Sequence, residues 1–197
     1  MLIDLSLKIA LDEKVQTPVS NMKNPVTANA KIAENKGSLR NTGAVFALPD
    51  YAVVQVTGKD AERFLHAQTT SDVKGLKPGE GQMSALLDRK AHVIALFDIY
   101  RHNEKYLLLT PRNQCDTVIN QLDTFKFADK VDFEKQDGIL FAVQGPRARR
   151  LLMLAGVREA KDLSSPISEL TLFENEVTVL SKSVTGEEGY VLFLKKE

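Results

Sequence analysis

Tyr51-Ala52-Val53-Val54-Gln55-Val56, followed by Thr57-Gly58-Lys59-Asp60-Ala61-Glu62-Arg63-Phe64-Leu65-His66-Ala67-Gln68, changes its pattern halfway. The first six residues carry the β-branched content of a strand. From Gly58, Ala61, Phe64, Leu65 and Gln68 recur at spacings of three and four, one face of a helix. A strand that passes directly into an amphipathic helix sets the expectation of a mixed α and β domain.

The pattern downstream extends that reading. Residues 82–87 and 93–101 are strand-like, His102-Asn103 reads as a turn, and 105–109 as the partner strand of a hairpin. Thr110-Pro111 reads as a helix start, a hydroxyl cap followed by proline at the first helical position. That helix is expected to carry Cys115, Val118, Ile119, Leu122 and Phe125 on one stripe. Strands are expected at 131–133 and 138–143. Gly145-Pro146 then opens a helix with Ala148, Leu151, Leu152 and Ala155 inward, and strands at 170–173, 177–181 and 190–194 complete the order. Helices between strands joined partly as hairpins give an α+β class. Upstream, residues 11–42 are rich in Asn, Lys, Thr and Ser and show little periodicity, so 1–42 reads as a flexible N-terminal arm.

Composition narrows the function classes. The 197 residues hold 43% hydrophobic side chains, enough for a conventional core. Twenty-six basic residues balance twenty-six acidic ones, which argues against bulk electrostatic capture of nucleic acid or of an anionic membrane. The single cysteine, Cys115, forms no internal disulfide and fits a reducing compartment. No apolar run approaches a membrane span, and the N-terminus lacks the basic leader of a secretory signal, so the expected location is the cytoplasm. His66, His92 and His102 are scattered without metal-ligand spacing, so no metal is expected.

Three motifs stand in order. Thr57-Gly58-Lys59-Asp60-Ala61-Glu62-Arg63-Phe64-Leu65 runs into Thr69-Thr70-Ser71-Asp72-Val73. Val143-Gln144-Gly145-Pro146-Arg147-Ala148 comes next, then Thr185-Gly186-Glu187-Glu188-Gly189-Tyr190. Together they resemble the folate-binding, aminomethyltransferase-like family typified by the T-protein of the glycine cleavage system, and within it the non-catalytic YgfZ-type branch linked to iron–sulfur enzyme maintenance. The resemblance implies two ferredoxin-like α/β modules, here 43–134 and a second, truncated one at 135–197, without the family's C-terminal barrel. An unfinished second module would leave a strand edge for a protein partner or a second copy.

Tetrahydrofolate is the cofactor that this resemblance implies. A carboxylate beside a glycine-rich turn can accept two parallel N–H bonds, and the pyrimidine edge of a pterin offers such a pair. The family's glutamate for this task maps onto Glu187, with Thr185, Gly186, Tyr190 and Thr110 as accompanying cofactor-binding positions. The same turn also serves as a plain hairpin with solvated acids. Gln144-Gly145-Pro146 with Arg147, Arg149 and Arg150 could hold an anion at a helix start, or simply make a strand-to-helix corner.

Catalysis is where the chain departs from the family. The aspartate required for aminomethyl transfer falls on Leu96 or Phe97, neither of which can move a proton. Asp98 lies nearby, but a one-residue offset along a strand changes the face. The iron–sulfur-linked branch's own Lys-Gly-Cys and Gly-Gln-Glu signature has no counterpart here, and Cys115 on an apolar stripe reads as a buried, inert thiol. The expected function is therefore non-enzymatic tetrahydrofolate binding. The alternatives are an active aminomethyltransferase using Asp98, and a scaffold module without a folate pocket.

Overall fold

The computed structural model describes residues 41, 43–157, 163–172 and 175–196. The arm expected over 1–42 lies outside the described residues apart from Asn41. The elements are β1 (Ala44–Ala47), β2 (Tyr51–Thr57), α1 (Ala61–Gln68), β3 (Gly81–Leu87), β4 (Val93–His102), β5 (Lys105–Pro111), α2 (Cys115–Thr124), β6 (Asp132–Gln136), β7 (Gly138–Gln144), α3 (Ala148–Leu154), β8 (Ile167–Leu172), β9 (Asn175–Ser181) and β10 (Gly189–Lys195). Strands and helices interleave, so the class is α+β as the patterning indicates. The described residues divide into two compact units, one built mainly on 48–140 and the other on 43–47 with 141–157, 163–164, 169–172 and 175–194.

The 48–140 unit carries a five-stranded sheet in the order β3-β4-β5-β2-β6. β2 pairs antiparallel with β5 on one side, Val53 opposite Leu109, and with β6 on the other, Val53 opposite Gln136. β4 and β5 form the hairpin expected from the sequence, with Tyr100 opposite Leu107, and β3 pairs antiparallel with β4, Ala85 opposite Leu96. Alternate residues of β4 (Ala95, Phe97 and Ile99) enter a core that also takes Phe64 and Leu65 of α1 and Val118 and Leu122 of α2. Burying such side chains supplies about 1.5–3 kcal/mol each before chain entropy is charged against it.

α1 starts where Gly58 lets the backbone turn at φ +114°, a value that strains an L side chain. A Cβ there would also overlap the Lys130 carbonyl. Asp60 then fastens the helix start to the chain entering β6. Its backbone N–H donates to the Lys130 carbonyl at 3.2 Å, and its carboxylate accepts the Lys130 N–H at 2.8 Å. Arg63 on the next turn bonds Asp129. The Lys130 N–H, with the Arg63 guanidinium adding to it, holds the Asp60 carboxyl below its ordinary range.

The helix start expected at Thr110-Pro111 is not there. Both residues belong to β5, where Ala52 pairs with Thr110 and Tyr51 with Pro111, and the Arg112 N–H extends the ladder to the Asp50 carbonyl at 2.7 Å. A single 3-10 turn at Arg112–Gln114 intervenes before α2. Tertiary pairing overrides the local capping signal, because the strand gains ladder bonds that an isolated cap cannot match. On the β4 side the register ends at Asp98 opposite Leu109, two residues before Pro111, which has no N–H to donate. Side chains close the gap: the Thr110 hydroxyl donates to the Leu96 carbonyl at 3.4 Å, and the Gln114 side-chain carbonyl accepts the Leu96 N–H at 3.3 Å. Phe125, expected on the buried stripe of α2, falls just past the helix end and is exposed.

The other unit carries a five-stranded sheet in the order β1-β7-β10-β9-β8. β1 runs antiparallel to β7, Ala44 opposite Gln144, and β10 antiparallel to β9, Tyr190 opposite Ser181. α3 buries Ala148, Leu151 and Leu152 against Val143, Val179 and Leu192, and Ala155 follows them inward just past the helix end, as the spacing predicts.

Candidate functional site

The Thr185–Tyr190 segment is a tight bend leading into β10. Gly186 sits at φ +88° with open space where a Cβ would be, so the bend requires glycine for conformation rather than for room. Thr185 and Gly186 are exposed and Glu187 is half-buried. The two adjacent glutamates differ in their surroundings. Glu188 accepts a hydrogen bond from the Tyr190 hydroxyl at 3.0 Å and lies 3.6 Å from the Arg149 guanidinium of α3. Among the described residues, no hydrogen bond or ion pair engages the Glu187 carboxylate, while its backbone N–H donates to the Thr185 hydroxyl at 3.4 Å.

Tyr190 is buried, and its hydroxyl is occupied within the fold. Burial first, and then the bond to Glu188, raises its pKa, so the phenol stays neutral. Of the expected ligand positions in this bend, Glu187 presents an unengaged acceptor, while Tyr190 supports the bend from beneath.

The residue that shapes the bend is Gln144, which the sequence reading placed only in the corner before Gly145-Pro146. Gln144, at the end of β7, is fully buried and uses both ends of its amide. Its Oε1 accepts the Val184 N–H at 3.0 Å and the Thr185 hydroxyl at 3.4 Å. Its Nε2 donates to the Lys182 carbonyl at 2.8 Å and, at 3.4 Å, to that of Tyr190. Next to it the Gly145 N–H donates to the Glu188 carbonyl at 2.7 Å. Gly189 faces this amide, and any Cβ at that position would overlap the end of the Gln144 side chain. Two motifs separated by about forty residues thus meet through one amide. The available signal was a polar residue closing the apolar run 139–143, followed by Gly-Pro.

This arrangement engages the Gly145-Pro146 corner within the fold. The Gly145 N–H is already spent on Glu188, and α3 begins only at Ala148. Arg149 donates to the Leu163 carbonyl at 3.3 Å and lies beside Glu188. The segment makes a strand-to-helix corner.

In the 48–140 unit, the pleat of β4 separates the two positions on which the family's acid could fall. Phe97 is 3% exposed in the core, whereas Leu96 is 50% exposed on the opposite face. Asp98 shares that outer face, two residues along from Leu96 and opposite Met83 of β3. Its charge adds to burial in raising the Tyr100 hydroxyl's pKa. Met83, Leu87, Val93 and Leu96 are exposed apolar side chains at the β3–β4 edge, whereas Ala85, Tyr100 and Leu109 along the same face are buried. Thr110, expected as a ligand position, is fully buried, and its hydroxyl closes the gap at Leu96.

Cys115 is buried, and its burial raises the thiol's pKa, as an inert core cysteine requires. Among the described residues, no group of His, Cys, Asp and Glu side chains could hold a metal ion, and no helix is long and apolar enough to cross a membrane.

Comparison with known proteins brings these features together. Residues 13–197 match the family described as the GCVT N-terminal domain. An aminomethyltransferase of Bacillus velezensis is 31% identical over 175 residues, which cover 85% of this chain and 47% of that protein. A tRNA-modifying protein YgfZ of Aliivibrio fischeri is 27% identical over 114 residues, 58% of this chain and 36% of that protein. The chain therefore spans less than half the length of these curated relatives. The glycine cleavage system aminomethyltransferase T of Bartonella henselae superposes with a TM-score of 0.72 at 21% identity, over 82% of this chain and 44% of its own. That likeness establishes a shared fold, mixed α and β with two antiparallel sheets. The chain belongs to the GCVT N-terminal domain family, among aminomethyltransferase and YgfZ relatives.

Proposed function

We propose that this chain binds tetrahydrofolate through Glu187 without carrying out aminomethyl transfer, and that it serves the upkeep of iron–sulfur enzymes as a YgfZ-type protein. One observation carries the reading: Glu187 is held on a fastened bend while, among the described residues, its carboxylate has no protein partner. A carboxylate in that state can accept the paired N–H donors of a pterin edge, a charge-assisted arrangement stronger than neutral bonds. Neither Leu96, exposed, nor Phe97, in the core, offers the acid that transfer requires, which supports the non-catalytic half of the proposal. Titration calorimetry with tetrahydrofolate tests it. Binding by the wild type and a loss of about tenfold or more in Glu187→Gln is the expected result, from a charged hydrogen bond worth about 1.5–3 kcal/mol. Absence of binding, or equal affinity in the variant, refutes the assignment.

A specific observation favours one rival. Asp98 lies on the same outer face of β4 as Leu96, so a two-residue displacement of the catalytic acid keeps its side of the sheet. On that reading the chain turns over aminomethyl groups and Asp98→Asn abolishes turnover. Equal rates in the two proteins, measured by formation of methylenetetrahydrofolate, exclude Asp98 as the acid.

A further inference from the structure

We infer that Gln144 is the positioning residue of the Glu187 bend, acting through the Thr185 hydroxyl to set where the Glu187 backbone lies. This rests on the reading of Glu187 as the ligand-binding carboxylate. The connection is continuous in the structure. Gln144 Oε1 accepts the Thr185 hydroxyl proton at 3.4 Å, and the Thr185 oxygen in turn accepts the Glu187 N–H at 3.4 Å. Because Gln144 Oε1 also takes the Val184 N–H, and Nε2 bonds the Lys182 and Tyr190 carbonyls, the amide cannot rotate without breaking bonds at both sides of the bend. Its full burial removes water as a replacement partner.

The chemistry calls for an amide of this length. A carboxylate offers no donor for the Lys182 and Tyr190 carbonyls, and an alkyl side chain offers neither donor nor acceptor. Gly189 completes the arrangement by leaving the space that the amide fills. Thr185 therefore contributes to binding by fixing its neighbour as well as through any contact of its own. Holding the carboxylate in advance spares the ligand the ordering cost of a loose bend.

The test compares tetrahydrofolate affinity, by titration calorimetry on the full chain, for Gln144→Leu, Thr185→Val and each of these combined with Glu187→Gln. Thr185 is exposed, so its isosteric valine variant keeps the fold even if Gln144→Leu does not. Each single variant is expected to weaken binding by about tenfold, and to add nothing once Glu187 is already glutamine. A residue that merely stabilised the fold would weaken both backgrounds by the same factor. Full affinity in folded Thr185→Val, or losses that multiply in the double variants, overturns the inference while leaving the Glu187 reading intact. Binding that is absent in the wild type, or indifferent to Glu187, overturns both.

Discussion

Gln144 and Gly189 form a matched pair, a buried amide and the absence of a side chain opposite it. Gly189→Ala places a methyl group where the Gln144 amide now sits. That amide is the end of a flexible side chain and could swing aside, but it is fully buried and holds four hydrogen bonds. Moving it leaves polar groups unsatisfied, and keeping it forces the backbone apart. We expect Gly189→Ala to cost about 1–3 kcal/mol in urea-induced unfolding, and a variant as stable as the wild type would show the contact to be loose. Neither residue announces this role in the sequence, because 144 and 189 lie far apart in the chain and only the pairing of β7 beside β10 brings them together. The motifs around them were legible, and the reason for their co-occurrence was not. Glu187 stood out because a carboxylate beside glycines is a local feature, and local features survive in a one-dimensional reading.

At the scale of elements, the same distinction separates what was read correctly from what was not. α1 and α3 were legible, since their apolar spacing needs no partner to interpret, and Phe64, Leu65, Leu151 and Leu152 are buried as that spacing requires. The Thr110-Pro111 signal misled because a cap is a weak preference and the β2–β5 ladder decides against it. The fastening of α1 to the entrance of β6 was equally invisible, since it joins Asp60 to Lys130. It carries a pH dependence whose sign is fixed. The folded Asp60 carboxyl titrates below 3.8, so the unfolded chain binds the proton more readily than the folded one. The contribution is complete above that value and is lost as the pH falls through the lower, folded value. Urea unfolding between about pH 5 and pH 2 is expected to show this acid-side loss in the wild type and less of it in Asp60→Asn. Identical slopes in the two proteins would show that the Lys130 contact does not persist in solution.

Across the whole molecule, the family's architecture is kept. The α+β class, the interleaving of strands with helices and the three ordered motifs were all present in the one-dimensional record. What the record lacked was which face of β4 each residue takes, Leu96 outward and Phe97 into the core. The opening between β4 and β5 beyond Leu109 adds a mechanical consequence. There, two side chains stitch the strands together in place of main-chain rungs, and side chains rotate far more readily than a peptide ladder unzips. We expect the sheet to part first along that seam under denaturant, with the Leu96 amide exchanging its hydrogen faster than its neighbours in β4; equal exchange rates would show the seam to hold as firmly as the ladder.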